Sequence, residues 1–296
     1  MPSSPLFSIV IPTYNRAHLI AKTLNSVLAQ HFTDFEILVV DDGSKDNTAE
    51  VVRGFSDSRV TYYKKENDER GAARNYGTAR AHGSYITFFD SDDLMYPNHL
   101  RVASNLVASI GNPEWFHLAY DYQLEDGSVI NQINDFDEHI QQTIYFNNRL
   151  SCNGVFLRRD IALQFPFEED RVLASSEDWE LWIRLLSHFK LHYSNEITSS
   201  VVNHDQRSLF TIPAEKVIAR DLLLIEKLRA DAVVMKQYGQ SFKRFIADRY
   251  TFFMLCLAEQ KQRLGVWQWG MRAFQSYPLI LGSKRFLASI KNSILP

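Results

Sequence analysis

Three times in its first hundred residues, this chain ends a short apolar run in a polar cluster. Phe7–Ile11 stops at Pro12 and runs into Thr13-Tyr14-Asn15-Arg16. Phe35–Val40 runs into Asp41-Asp42-Gly43-Ser44, and Ser84–Phe89 into Asp90-Ser91-Asp92-Asp93. Such runs, bounded by turn residues, read as buried strands, and Val60–Tyr63 is a further strand candidate. Helix patterns lie between them. Leu19, Ile20, Leu24, Val27 and Leu28 recur with helical spacing over Arg16–Gln30, and Asp46–Phe55 can form a second helix. Gly71–Ala81 offers a small-residue helix that Gly83 would close from the C′ position. Alternating strand and helix predicts an open, doubly wound α/β sheet with right-handed crossovers. Ligands of such sheets bind beyond the carboxyl ends of the strands, so all three polar clusters should line one crevice.

The rest of the chain divides by pattern. Residues 113–205 are more irregular, with the amide-rich stretch Thr143–Gly154 and one sharp feature, SSEDWELWIRLL at 175–186. There Trp179, Trp182, Ile183 and Leu186 share a helical face, with Glu177 and Asp178 at its start. From 213 the pattern turns helical; Val217, Ile218, Asp221, Leu222, Ile225 and Leu228 mark an amphipathic segment that Asp221 interrupts. The expected division is a domain over 1–212, in halves 1–110 and 111–212, followed by a helical region over 213–296. The last 36 residues hold six Lys or Arg and no acid, interleaved with Trp267, Trp269, Phe274, Tyr277 and Phe286. Since the whole chain carries −3, the preceding part carries −9. A pI near 6.3 argues against a dedicated nucleic-acid binder. Two cysteines, Cys152 and Cys256, lack zinc-ligand spacing and fit a reducing compartment. The N-terminus does not read as a signal peptide, and no run of 18 apolar residues occurs. The expected location is cytoplasmic. No G-x-G-x-x-G or P-loop pattern is present.

Each cluster suggests a chemistry. Three carboxylates at one strand end repel one another unless a hard cation joins them; Mg²⁺ or Mn²⁺ is usually held by one or two carboxylates together with substrate phosphates. Asp41 or Asp42 could accept hydrogen bonds from a base imide or a ribose, although turn chemistry alone also explains Asp-Gly. Arg74 and Asn75 lie on the helix that leads into the acid cluster, within reach of a diphosphate. Glu177 and Asp178 are either first-turn acids complementing the helix dipole or the site of a general base. His204 is a structural histidine or a ligand that would suit Mn²⁺ better than Mg²⁺.

Taken together, SIVIPTYNR (8–16), LVVDDGSKDNT (38–48), GAARNYGTARAHGSYITFFDSDDL (71–94) and SSEDWELWIRL (175–185) resemble the inverting, nucleotide-sugar-dependent glycosyltransferases of family 2. That resemblance implies a GT-A fold: a Rossmann-like, mostly parallel sheet flanked by helices, fused to an acceptor-binding half, here with a C-terminal helical extension. It makes Asp90-Ser91-Asp92 the D-x-D motif, with Asp92 on the metal, Asp90 nearer the ribose and Asp93 beside them. Pro12, Thr13, Tyr14, Arg16, Asp42, Arg74 and Asn75 fall on the donor side. Asp178 becomes the catalytic base, with Glu177, Trp179, Asn153 and Gly154 as acceptor-side candidates. His204 stands where many members supply another metal ligand, although its surrounding segment departs from the commoner motif. The implied cofactor is Mn²⁺ or Mg²⁺. The implied partners are a UDP-sugar, with GDP and dTDP open, and a glycan or lipid-linked glycan acceptor in cell-surface polysaccharide synthesis. The processive Q-x-x-R-W motif is absent, so one sugar per encounter is expected. The rival readings are a non-catalytic nucleotide-sugar-binding protein on the same fold, or a nucleotidyltransferase. The basic aromatic tail over 261–296 suggests peripheral contact with the inner face of the cell membrane. Its alternative is a helical subdomain packed on the catalytic domain or on a second copy in a homodimer.

Overall fold

The structure, a computed structural model, describes residues 4–204 and 213–294. These form two compact units. One holds the described residues up to Ile144 and those from Asn148 to His204; the other holds Tyr145–Asn147 and everything described from Pro213 onward. The expected boundary after residue 212 falls at the edge of 205–212, which lie outside the described residues.

The first unit opens with β1 (Phe7–Thr13), α1 (Ile20–Leu28), β2 (Phe35–Asp41), α2 (Thr48–Arg53), β3 (Val60–Lys64), α3 (Glu69–Thr78) and β4 (Tyr85–Phe88). It continues through β5 (Leu94–Met95), α4 (His99–Ile110), β6 (Trp115–Leu124), β7 (Val129–Ile133), the single turn α5 (Ile140–Thr143), β8 (Val155–Arg158), α6 (Arg159–Gln164), α7 (Glu177–His188) and β9 (His192–Asn203). All nine strands among the described residues join one sheet in the order β3-β2-β1-β4-β8-β6-β9-β5, with β7 paired to β6. The first four are mutually parallel, as the alternating pattern predicts. Beyond β4 the sheet becomes mixed: β8 is antiparallel to both β4 and β6, while β9 is parallel to β6 and antiparallel to β5. Buried β-branched and aromatic side chains of β1, β2 and β4 form the core with α1 and α4, and Phe116 stacks on Phe156 at 4.8 Å.

Local differences from the sequence reading have physical causes. Strand β1 runs on through Pro12 and Thr13. Val10 accepts from the Phe89 amide and Thr13 from the Asp42 amide, so Pro12 turns its N toward the β4 side, where pairing has already ended. Helix α1 starts late because the amides of Asn15, Arg16 and Ala17 are bound by Ser44, Thr48 and Asp46 of the loop after β2 and the start of α2. Helix α3 ends at Thr78, so Gly83 does not cap it and has no positive φ. Gly83 lies where backbones nearly touch: a Cβ there would meet the Ser8 amide nitrogen at 2.5 Å. Gly77 has a related task, since its Cβ would strike Val10 Cγ1 at 2.4 Å, and its absence lets α3 sit close on β1. Gly83→Ala is therefore expected to destabilise by about 1–3 kcal/mol, as overpacking does. A urea midpoint unchanged from the parent would refute that account.

The second unit consists of α8 (Ala214–Ala230), α9 (Ala232–Glu259), α10 (Arg263–Ser276) and α11 (Lys284–Ile294). Tyr145 belongs here, 4.2 Å from Tyr238 and 5.0 Å from Phe245 between ring centroids. On α8, Leu222 is exposed and Leu224 takes the buried place, which corrects the expected stripe. Asp221 is fully buried and lies 3.0 Å from Arg220 and 3.6 Å from Arg249, which accounts for a carboxylate on an apolar face.

Candidate active site

The loop after β4 is a built object. Asp90, Asp92 and Asp93 each place a carboxylate oxygen within 4.8 Å of the others. Asn153, fully buried on a 3-10 turn before β8, holds the loop from below. Its Oδ1 accepts from the Asp90 amide at 3.2 Å and its Nδ2 donates to Asp93 Oδ2 at 2.7 Å. The other Asp93 oxygen accepts from the Val202 amide on β9 at 2.9 Å. Asp93 is fully buried, and its carboxylate ties β9 and the 3-10 turn before β8 to the loop. That leaves Asp90 and Asp92, both partly exposed, to face the crevice.

Asp92 Oδ2 lies 3.0 Å from His204 Nε2 and 3.5 Å from Arg16 Nε. The structure thus brings β1, β4 and the end of β9 to one point. Asp90, Asp92 and the nearby Asp93 place hard oxygen donors close enough together for a divalent cation, and His204 lies beside Asp92, so the residues fit such an ion.

Arg74, on α3, has a different place from the one expected. It is 1% exposed, its Nη2 donates to Asp90 Oδ1 at 2.9 Å and its Nη1 to Glu177 Oε1 at 2.7 Å. Phe167 covers it, with the guanidinium carbon 5.1 Å from the ring centroid. Arg74 therefore fixes Asp90 from behind, and Glu177 is its buried counter-charge rather than an acceptor-side group. Asn75 is also committed: its amide exchanges bonds with the Phe167 backbone at 2.9 Å each way and donates to Glu169. Asn153, Gly154 and Trp179 are buried too. The Trp179 indole N–H donates to the Ile144 carbonyl at 2.7 Å, and a Cβ on Gly154 would meet the Leu118 carbonyl oxygen at 2.4 Å. Arg74, Asn153, Gly154 and Trp179 are thus held within the protein, while Asn75 is partly exposed.

Asp178, the second residue of α7, is half-buried. Its Oδ1 accepts from the Trp179 amide and its Oδ2 from Asn148 Nδ2 at 3.3 Å. Burial, then the charge of adjacent Glu177, pushes its carboxyl up to about 6, against the opposing pull of Arg74. The helix dipole alone predicts a carboxylate held low; desolvation outweighs it here.

At the ends of β1 and β2, Thr13 is buried with a hydroxyl that has no partner among the described residues, and Tyr14 is 42% exposed beside buried Pro12. Asp42 is enclosed: Lys65 Nζ at 2.8 Å and the Asp68 amide at 2.9 Å reach one oxygen, and Asn67 at 3.0 Å reaches the other. Asp41 accepts from the Ser44 amide and the Tyr62 hydroxyl. Lys65, Asn67 and Asn148 were not singled out in the sequence. Each is one polar residue among several in a loop, and only its partner, 23 to 30 positions away, sets it apart.

A parallel nucleotide-type half, a D-x-D loop after its fourth strand and an acidic helix start across a mixed sheet define the GT-A class. The sequence profile of the family described as "Glycosyl transferase family 2" matches residues 8–112. An uncharacterized glycosyltransferase of Rickettsia prowazekii is 38% identical over 257 residues, covering 84% of this chain and 80% of its own length. A UDP-Glc:alpha-D-GlcNAc-diphosphoundecaprenol beta-1,3-glucosyltransferase of Escherichia coli is 31% identical, over 61% of this chain and 70% of its own. The chain spans only 33% of the length of a Rickettsia felis relative that it matches at 31% identity. Among solved structures, TarS 1–349 of S. aureus in complex with UDP-GlcNAc aligns with a TM-score of 0.71 at 19% identity, covering 97% of this chain and 88% of that one. The chain belongs to glycosyltransferase family 2.

Proposed function

We propose that this chain moves one sugar from a nucleoside-diphosphate sugar, UDP the favoured nucleotide, to a hydroxyl of a glycan or lipid-linked glycan in cell-surface polysaccharide synthesis. The observation that carries this reading is the Asp90–Arg74–Glu177 bridge. It ties the D-x-D loop to the start of α7, where burial and the charge of Glu177 raise the Asp178 carboxyl to about 6, which supports a base at neutral pH. The UDP-GlcNAc complex of TarS and the UDP-Glc named for the E. coli relative support a UDP-sugar, and a Pyrobaculum mannosyltransferase bound to GDP-Man and Mn²⁺ supports a divalent cation.

The chemistry is a single displacement. Asp178 takes the proton of the acceptor hydroxyl as its oxygen bonds to the anomeric carbon. The bond from that carbon to the diphosphate oxygen breaks on the opposite face, and the nucleoside diphosphate leaves with the electron pair. An α-linked donor then gives a β-linked product. Asp92, Asp90 and His204 would hold Mn²⁺ or Mg²⁺, which when bound neutralises charge on the diphosphate and improves it as a leaving group. Arg16 places a further positive charge beside Asp92. Pro12, Thr13 and Tyr14 border the nucleoside, with the unpartnered Thr13 hydroxyl available to it.

The test is a thermal-shift panel of nucleotide sugars with Mn²⁺ or Mg²⁺, followed by measurement of nucleoside diphosphate release and of the product anomer. Donor at a hundred times Kd should raise stability by about 2.7 kcal/mol. In Asp92→Ala the shift seen only with metal and donor together should disappear, while the unliganded melting temperature stays within a few degrees. No stabilisation by any donor, with no diphosphate released, would refute the reading.

A further inference from the structure

The second unit exposes an apolar stripe that its own packing does not use. On α10, Val266, Gly270 and Ala273 are buried, and the outward positions carry Leu264 (74% exposed), Trp267 (52%), Met271 (57%) and Phe274 (39%). Their spacings of three, four and three residues put all four on one face. Leu279 is 76% exposed on the following 3-10 turn and Leu287 58% on α11. A soluble surface rarely gathers this many large apolar side chains in one short segment.

Within α10 and α11 themselves the charges are of one sign, with Glu215 and Glu259 the exposed acids beside the start of α10. Lys261, Arg263, Arg272, Lys284 and Lys291 are all exposed, and no acid occurs from 261 to the end of the sequence. Arg285 is spent internally, 2.9 Å from Asp248, and Arg272 lies 4.4 Å from the Trp269 ring centroid with its charge outward. On α11, Lys284, Leu287, Ala288 and Lys291 share one face, so basic groups alternate with apolar ones there as well.

We infer that α10 and α11 dock the protein on an anionic lipid surface, with Trp267, Met271 and Phe274 entering the headgroup–acyl boundary and the lysines and arginines pairing with lipid phosphates. Charge complementarity selects this occupant. A second copy laid face to face on the same stripe would bring the exposed cations of α10 and α11 against their own counterparts, whereas an acidic leaflet supplies the missing sign. An aromatic and aliphatic face bordered by Lys and Arg is the composition of helices that lie in the interface plane.

The test uses the full chain and vesicles of phosphatidylcholine alone or with about a third phosphatidylglycerol. Binding should appear only with the anionic vesicles, weaken severalfold between low and physiological salt, and blue-shift tryptophan emission. Replacing Trp267 with Phe should remove most of that shift. The triple variant Trp267→Gln/Met271→Gln/Phe274→Gln should lower the partition constant at least tenfold, as should Arg263→Glu/Lys284→Glu, with circular dichroism melts unchanged. Equal binding to neutral vesicles, or none to either, would overturn the proposal. So would light scattering showing a dimer that the triple variant dissociates. Because the readout is lipid binding, failure here leaves the transferase reading intact.

Discussion

Asp178→Asn is expected to lower kcat/KM by roughly a hundred- to ten-thousandfold, the usual contribution of a general base. Asparagine keeps the shape and can still accept from the Trp179 amide and Asn148, so the fold and donor-induced thermal shift should survive. The parent's pH profile gives an independent check. A carboxyl raised to about 6 is protonated, and useless as a base, below that pH, so kcat/KM should climb through an acidic limb near 6 and level above it. The sign for stability is opposite: a raised carboxyl favours the folded state below its unfolded value and loses that contribution as pH rises through about 6. Glu177→Gln removes a charge that raises Asp178 and frees Arg74 to lower it, so the limb should move to lower pH. Near-normal transfer by Asp178→Asn would end the base assignment; a limb that ignores Glu177→Gln would end the electrostatic account of it.

Arg74→Met should be the most destabilising single change in the site, at about 3–5 kcal/mol, because it strands a buried charge. The Glu177 side chain is only 4% exposed, and Arg70, 3.9 Å away and 39% exposed, is a poor substitute. Asp90 is 28% exposed and recovers hydration, so most of the loss belongs to Glu177. The double variant Arg74→Met/Glu177→Gln should regain a good part of it, which urea denaturation of all four members of the cycle would measure. Additive losses would show that the pair is uncoupled.

What the sequence revealed and what it hid follow one division. Strand–helix alternation and the polar residues ending β1, β2 and β4 are local signals, so the parallel half and the address of Asp90, Asp92 and Asp178 were readable. Partnerships across long separations were not. Arg74 looked like a ligand for phosphate because an exposed and a buried helical arginine have the same letter; its burial depends on Phe167 and Glu177, 93 and 103 positions away. Asn153 and Trp179 looked like acceptor groups for the same reason. The antiparallel strands beyond β4 left no periodic trace, since β8 is a four-residue run between aromatic stretches. Gly83 read as a cap because sequence shows a glycine's freedom but not which backbone passes beside it.

The Arg74 bridge has a consequence for how such a chain can diversify. The guanidinium and the Asn75 clasp pin both ends of the working machinery to α3. The hairpin from Glu125 to Asn134, with the exposed β7, lies in sequence between the acid loop and α7. Its length and composition can drift without moving either carboxylate. The acid loop and the start of α7 are thus insulated from a surface hairpin whose sequence is free to change.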